Sequence, residues 1–171
     1  FHGWQRQRKP EVATVQSSLE HALAQVATLP IQVHCAGRTD AGVHGAGQVV
    51  HFDAAVERPL KAWVQGVNTF LPPSIRVLWA QAVAGEFHAR HSALSRRYQY
   101  WIINTPVASA LIAGGVTHYP FPLDAAAMHN AAQALLGEQD FSAFRAASCE
   151  SRTPMRNVQR VTVSRLSLIH I

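Results

Sequence analysis

The run TVQSSLEHALAQVATLPIQVHCAGRTDAGVHGAGQVVHF, residues 14–52, sets out a helix, a strand, a glycine-rich loop and a second strand in direct succession. Thr14 can cap the helix, and Val15, Leu19, Ala22, Leu23 and Val26 return at spacings of three and four, the period of one helical face. Pro30 stops it. Ile31 to His34 then alternates as a short strand that leads straight into residues 36–44, where small and polar residues mark a loop. From Gly47 to Phe52 the strand pattern returns, with Val49, Val50 and Phe52 apolar and His51 a polar interruption.

Downstream of this block the chain continues to alternate. Pro59 suits the first turn of a second helix reaching about Val67, with Leu60, Trp63, Val64 and Val67 on one side. The turn Leu71-Pro72-Pro73-Ser74 ends it, and Ile75 to Val83 alternates as a strand. A second unit is expected to begin near Ala84, dividing the chain into residues 1–83 and 84–171. In it, Arg96 to Asn104 has a strand pattern. Asp124 can cap a helix through Leu136 that Gly137 ends, Phe141 and Phe144 can anchor the polar segment after it, and Val158 to Val163 starts a last strand. Helices alternating with strands over these lengths argue for an α/β or α+β fold, helix layered on sheet. Both ends read as cut, since the chain opens at Phe1-His2-Gly3-Trp4 and closes just after a strand, and Ser167 to Ile171 reads equally as native or foreign sequence.

With 171 residues, 48% of them hydrophobic, the chain can bury a core, which sets it apart from a disordered tail. Two cysteines far apart, Cys35 and Cys149, suit neither a disulfide framework nor a thiolate metal site, and a reducing cytoplasm is the default expectation. No run of 18 apolar residues exists, so membrane insertion is not expected. Lys and Arg total 15 against 10 acids, a formal charge of +5. The basic residues gather as Arg6, Arg8 and Lys9, then Arg90, Arg96 and Arg97, then Arg145, Arg152, Arg156 and Arg160. Such a spread suits several phosphate contacts, or an ordinary solvated surface.

The loop Gly37-Arg38-Thr39-Asp40-Ala41-Gly42 is where chemistry is expected. Two glycines let the backbone turn sharply and present Asp40, whose carboxylate can serve as nucleophile, general base or metal ligand, or merely bond its own backbone in an Asx-turn. Arg38 can lower the pKa of that carboxylate or contact a phosphate. His44 is the nearby softer donor, but neither an HExxH nor another zinc spacing occurs among the 10 histidines, and His88 and His91 read as packing residues or phosphate neighbours. Tyr98 and Tyr100 alternate with Arg97 and Gln99 and follow Arg96, so they suit either base stacking beside phosphate-holding guanidinium groups or a half-buried strand face. Trp4 likewise can stack or pack.

Taken in order, Phe1-His2-Gly3-Trp4-Gln5-Arg6-Gln7, Cys35 to His44 with Gln48 to Phe52, Phe87-His88-Ala89-Arg90, Arg96 to Tyr100, Leu136 to Arg145 and Ser151-Arg152-Thr153-Pro154 resemble the bacterial TruA-type tRNA pseudouridine synthases. The resemblance runs from the first residue to about Ser164. It implies an α+β fold of two ferredoxin-like halves sharing a mixed central sheet. The implied activity is isomerisation of uridines 38, 39 and 40 of the tRNA anticodon stem-loop to pseudouridine by a cytoplasmic homodimer without metal or organic cofactor. It implies Asp40 as the nucleophile, Arg38 as the residue that displaces the target base, and Tyr98 as the ring that stacks on it. Arg6, Arg90, Arg96 and Arg97 become candidate RNA contacts. Two family features are absent, an upstream Tyr/Phe-Asp-Gly strand and a downstream His-His-Met-Val-Arg-Asn motif whose arginine pairs with the catalytic carboxylate. The isolated chain is therefore expected to be inactive or poorly folded. The rival expectations are a non-catalytic RNA-binding module and a metal-dependent hydrolase using Asp40 and His44.

Overall fold

The computed structural model describes residues 1–7, 12–145 and 153–166; Arg8, Lys9, Cys149, Arg152 and the stretch 167–171 lie outside them. The chain divides into two compact units, Phe1–Gln99 and Tyr100–Ile171. Residues 84–99 fall with the first unit because Ala89 N–H donates to His51 Nδ1 at 3.1 Å and the Arg96 guanidinium to Ala36 O at 2.7 Å.

The first unit is built on helix α1, Val15–Ala27. Thr14 and Ser17 form a reciprocal capping box at its start, so two of the amides that a helix leaves unpaired find partners. Leu19, Ala22, Leu23 and Ala27 form its buried stripe, and full burial of a leucine contributes about 1.5–3 kcal/mol. That stripe meets Trp63, Val67 and Leu71 of a second helical stretch, a π-helical segment Ala62–Gly66 running into α2, Val67–Phe70. A side chain on Gly66 would stand 3.3 Å from Val26 Cγ2, so its absence lets the two helices approach. The helix expected to end near Val67 thus reaches Phe70, and Leu60, expected on its buried side, is exposed.

Strands β1, His34–Cys35, and β2, Val50–His51, pair antiparallel with His34 opposite His51. Phe52 carries the end of β2 onto Trp63, ring edge to face at 5.2 Å. These two strands frame the loop between them. Residues 75–83 correct the expected strand: Ile75 and Val77 pack on the core, but among the described residues no strand pairs with the segment. Instead the Asn68 amide donates to Val77 O and accepts from Val77 N–H, both at 2.8 Å, doing with a side chain what a neighbouring strand would do with its backbone. Leu78 and Trp79 are exposed.

In the second unit, β3, Ile102–Ile103, pairs parallel with β4, Thr117–His118, which leaves only the end of the expected 96–104 strand in a ladder. Helix α3, Ala125–Ala132, is capped by Asp124, whose carboxylate accepts from the amides of Ala126 and Ala127. A 3-10 turn Gln133–Leu135 follows, and Gly137 at φ +85° redirects the chain into β5, Gly137–Asp140. Its antiparallel partner is β6, Met155–Val158. The last strand therefore ends where it was expected to begin. Beyond it, Val163 N–H donates to the ring of His129, a side chain of α3. Phe141 and Phe144 meet as tilted rings 5.6 Å apart, beside β5. Among the described residues, three two-stranded sheets with helices make the architecture α+β. Among the described residues no helix is long and apolar enough to cross a membrane.

Candidate active site

The glycine-rich loop is held from three directions, all within the first unit. From the N-terminal side, Trp4 N–H donates to Thr39 O at 2.9 Å. Gly3 packs so closely there, at φ +82°, that a Cβ would lie 2.7 Å from the same Thr39 oxygen. From the segment leading into β2, the Gln48 amide closes a two-way bond with the Gly37 backbone, accepting from its N–H at 3.3 Å and donating to its carbonyl. From the third direction, Arg96 bonds Ala36 O and lies against Gly37, where a Cβ would stand 3.3 Å from Arg96 Nε.

Asp40 sits at the tip. Its backbone carbonyl accepts from Val43 N–H at 3.2 Å, closing a turn in which Gly42 takes φ +80°, the conformation glycine supplies at the third position of a type II turn. Among the described residues nothing hydrogen-bonds or ion-pairs with the Asp40 carboxylate, so the turn is a backbone turn and the acid is left exposed for outside chemistry. Asp40 lines an open groove of about 1640 Å³ together with Gly3, Trp4, His44, Trp63 and Trp79. That exceeds the 300–1,000 Å³ typical of a small-molecule pocket and suits a segment of polymer.

Arg38 and Arg90 both act electrostatically on Cys35, which places two guanidinium groups at the root of the loop. Burial nonetheless dominates at that thiol and pushes its pKa up, so Cys35 is a protonated packing residue at neutral pH. Arg96 joins them through Ala36. Arg97 is exposed, and Tyr98 is 83% exposed and does not line the groove that holds Asp40. Arg6 is engaged by Glu20 at 3.5 Å. Among the described residues no group of three or more His, Cys, Asp or Glu side chains is placed to hold a metal ion.

Sequence reading passed over Gln48 and the closeness of Gly3 to the loop. It also did not foresee that His34, His51, His88 and His91 gather, with ring centroids 5.1 Å (34–51), 4.4 Å (51–88) and 4.3 Å (88–91) apart. Antiparallel register puts His34 and His51 side by side, and the turn at residues 88–92 adds the others. His88 Nδ1 accepts from the amides of Arg90 and His91, which suits a neutral ring. Desolvation first, then the like charges of His91, His51 and His34, lower the His88 pKa from its ordinary 6.5.

A group whose folded pKa lies below its unfolded value takes up its proton preferentially in the unfolded chain. Its stabilising contribution is therefore full above 6.5 and is lost as pH falls below it. Thermal midpoints measured down through that value should fall more steeply for the native chain than for His88→Asn, which keeps an acceptor but cannot charge. Parallel curves would show that His88 does not drive the loss.

A profile of the family described as tRNA pseudouridine synthase matches residues 1–92 and 131–170. The chain belongs to that family. Among curated relatives of this synthase family, tRNA pseudouridine synthase A of Salmonella arizonae is 58% identical over 165 residues, 96% of this chain and 60% of the relative. The Haemophilus ducreyi protein of the same name is 56% identical, with 62% of it covered, and an Escherichia coli one is 57% identical, with 60% covered. The chain thus spans about three-fifths of the length of these synthases.

Proposed function

We propose that this chain carries the catalytic loop of a tRNA pseudouridine synthase that isomerises uridines 38, 39 and 40 of the anticodon stem-loop, with Asp40 as the nucleophile. The observation that carries the reading is the exposed Asp40 carboxylate, without a partner among the described residues, on a turn braced from three sides and opening on a groove of polymer size. A braced carboxylate costs little reorganisation when it meets its target. Family membership and the shared name of the relatives supply the reaction class.

The chemistry fits a carboxylate acting without help from a metal or organic cofactor. The target uridine leaves its stack, at a cost of a few kcal/mol that protein contacts offset. Asp40 assists rupture of the bond between C1′ and N1, the uracil turns while held, and a bond forms between C1′ and C5. The C5 proton is lost and N1 gains one. Substrate and product are isomers, so no net oxidation or reduction has to be balanced. Arg38, at the root of the loop, is the residue that displaces the target base, and Tyr98 stacks on it. Arg6, Arg90, Arg96 and Arg97 hold phosphates.

In the whole protein this chain supplies most of one ferredoxin-like half, residues 1–83, and the start of a second, residues 84–171. The two share a mixed sheet in a cytoplasmic homodimer. The test extends the chain to the length of its relatives and follows pseudouridine in unmodified tRNA under excess chelator. Product should form undiminished. Product that persists under chelation would exclude the metal-dependent hydrolase built on Asp40 and His44, and bound tRNA without product would favour an RNA-binding module.

A further inference from the structure

Glu20 is a buried carboxylate, 9% exposed, that the chemistry above does not use. Burying a carboxylate is costly unless its oxygens are bonded, and an apolar residue would fill the same place without that cost. The bonds it makes are specific. One oxygen accepts from Gln16 Nε2 at 2.9 Å and from Val33 N–H at 3.2 Å, and the other faces the Arg6 guanidinium at 3.5 Å. Gln16 in turn accepts from Arg6 N–H at 3.0 Å.

Both ends of this network lead to the Asp40 loop. Arg6 belongs to the N-terminal strap, whose Gly3 and Trp4 carbonyls accept from the Val15 and Gln16 amides in the first turn of α1 and whose Trp4 N–H donates to Thr39 O. Val33 immediately precedes β1, which runs into the loop from the other side. A single side chain of α1 therefore bonds both to the strap that presses on residues 39–41 and to the residue that precedes the strand delivering residues 36–38.

We propose that Glu20 is a positioning residue for Asp40, acting through the residue 3–6 strap and β1; the proposal rests on the reading of Asp40 given above. Its charge matters because a neutral amide keeps the shape but weakens the hold on Arg6 and must turn a donor toward either Arg6 or Gln16. The apolar α1 stripe beneath, Leu19 and Leu23, is untouched by that exchange.

The experiment compares Glu20→Gln with Val67→Ala, a truncation in the buried core that lowers global stability without touching the network or the groove. Amide exchange of Trp4, and kcat and KM for pseudouridine formation, are measured on the chain extended to the length of its relatives. Glu20→Gln should speed exchange at Trp4 about tenfold relative to amides in α1, and lower kcat about tenfold with KM changed less than about twofold, since small misplacement of a reacting group costs rate more than binding. Val67→Ala should lower the thermal midpoint with kcat per folded molecule nearly unchanged. Unaltered Trp4 exchange in Glu20→Gln, or an equal loss of kcat in Val67→Ala, would overturn the proposal. Should the extended native protein form no pseudouridine, the function reading falls by itself, while the exchange comparison still decides whether Glu20 holds the loop.

Discussion

Asp40→Asn in the chain extended to the length of its relatives should lose turnover by a factor on the order of 10³ to 10⁶, the range seen when a covalent nucleophile is removed, while tRNA affinity stays within a few-fold. The asymmetry follows from geometry. Asparagine has the size of aspartate, and the turn that presents residue 40 is closed by its backbone carbonyl and by Gly42, not by the carboxylate. The bracing contacts from Trp4, Gln48 and Arg96 also reach backbone atoms of residues 36, 37 and 39. The substitution therefore leaves the loop in place and removes only charge and nucleophilicity. On the proposed reading, binding relies on the arginines and the groove, which do not change. Single-turnover rates beside filter-binding affinities separate the two effects. Equal loss of both would mean that Asp40 serves RNA binding or loop structure instead of the reaction.

The second large effect is expected from Gly3→Ala. An alanine at φ +82° costs about 1–2 kcal/mol from the left-handed backbone alone. The added Cβ would also lie 2.7 Å from Thr39 O, 3.1 Å from the Asp40 carbonyl carbon and 3.2 Å from Ala41 N. These are backbone atoms that cannot swing aside, and such overpacking costs a further 1–3 kcal/mol, roughly. The chain can relieve the clash only by parting the strap from the loop, which breaks the bond from Trp4 N–H to Thr39 O. A drop in thermal midpoint on the order of 10 °C is expected for a chain of this size. Gly42→Ala is the control: it shares the positive φ, at +80°, but a Cβ there meets nothing within 4 Å, so only the backbone cost applies. Equal midpoints for the two variants would show that the close approach at Gly3 is not real.

The elements legible in the sequence are those whose causes are local. Thr14 and Ser17 cap α1 through bonds to their own backbone neighbourhood, Asp124 does the same for α3, and the glycines of the 36–44 loop announce a turn wherever it lies in space. Alternation at 75–83 and 158–163 reads as strand, yet alternation reports a buried face and says nothing of a neighbour. Ile75 and Val77 do face the core, while Asn68 and His129 take up the backbone groups of Val77 and Val163 that a strand would have paired. The second helix runs past its expected end to Phe70 and holds within it Gly66, a weak helix former by propensity, where a Cβ would come 3.3 Å from Val26 Cγ2.

The candidate site divides along the same line. Asp40, Arg38 and the loop could be singled out from residue types alone. Gln48, Gly3 and the four gathered histidines depend on pairing register and on contacts between segments distant in sequence, as does the tie between Arg6 and Glu20. The resemblance quoted the runs containing most of these residues without saying what any of them touches.

The central claim, that this loop isomerises uridines of the anticodon stem-loop, is tested most directly with tRNA transcripts carrying uridine at only one of positions 38, 39 and 40. Each is incubated with the extended native protein, and the modified position is read by mass spectrometry of nuclease fragments. Pseudouridine at the single uridine of each transcript, and at no uridine elsewhere in the tRNA, is the predicted result. Transcripts that bind but stay unmodified at all three positions, or that are modified only outside the anticodon stem-loop, would contradict it.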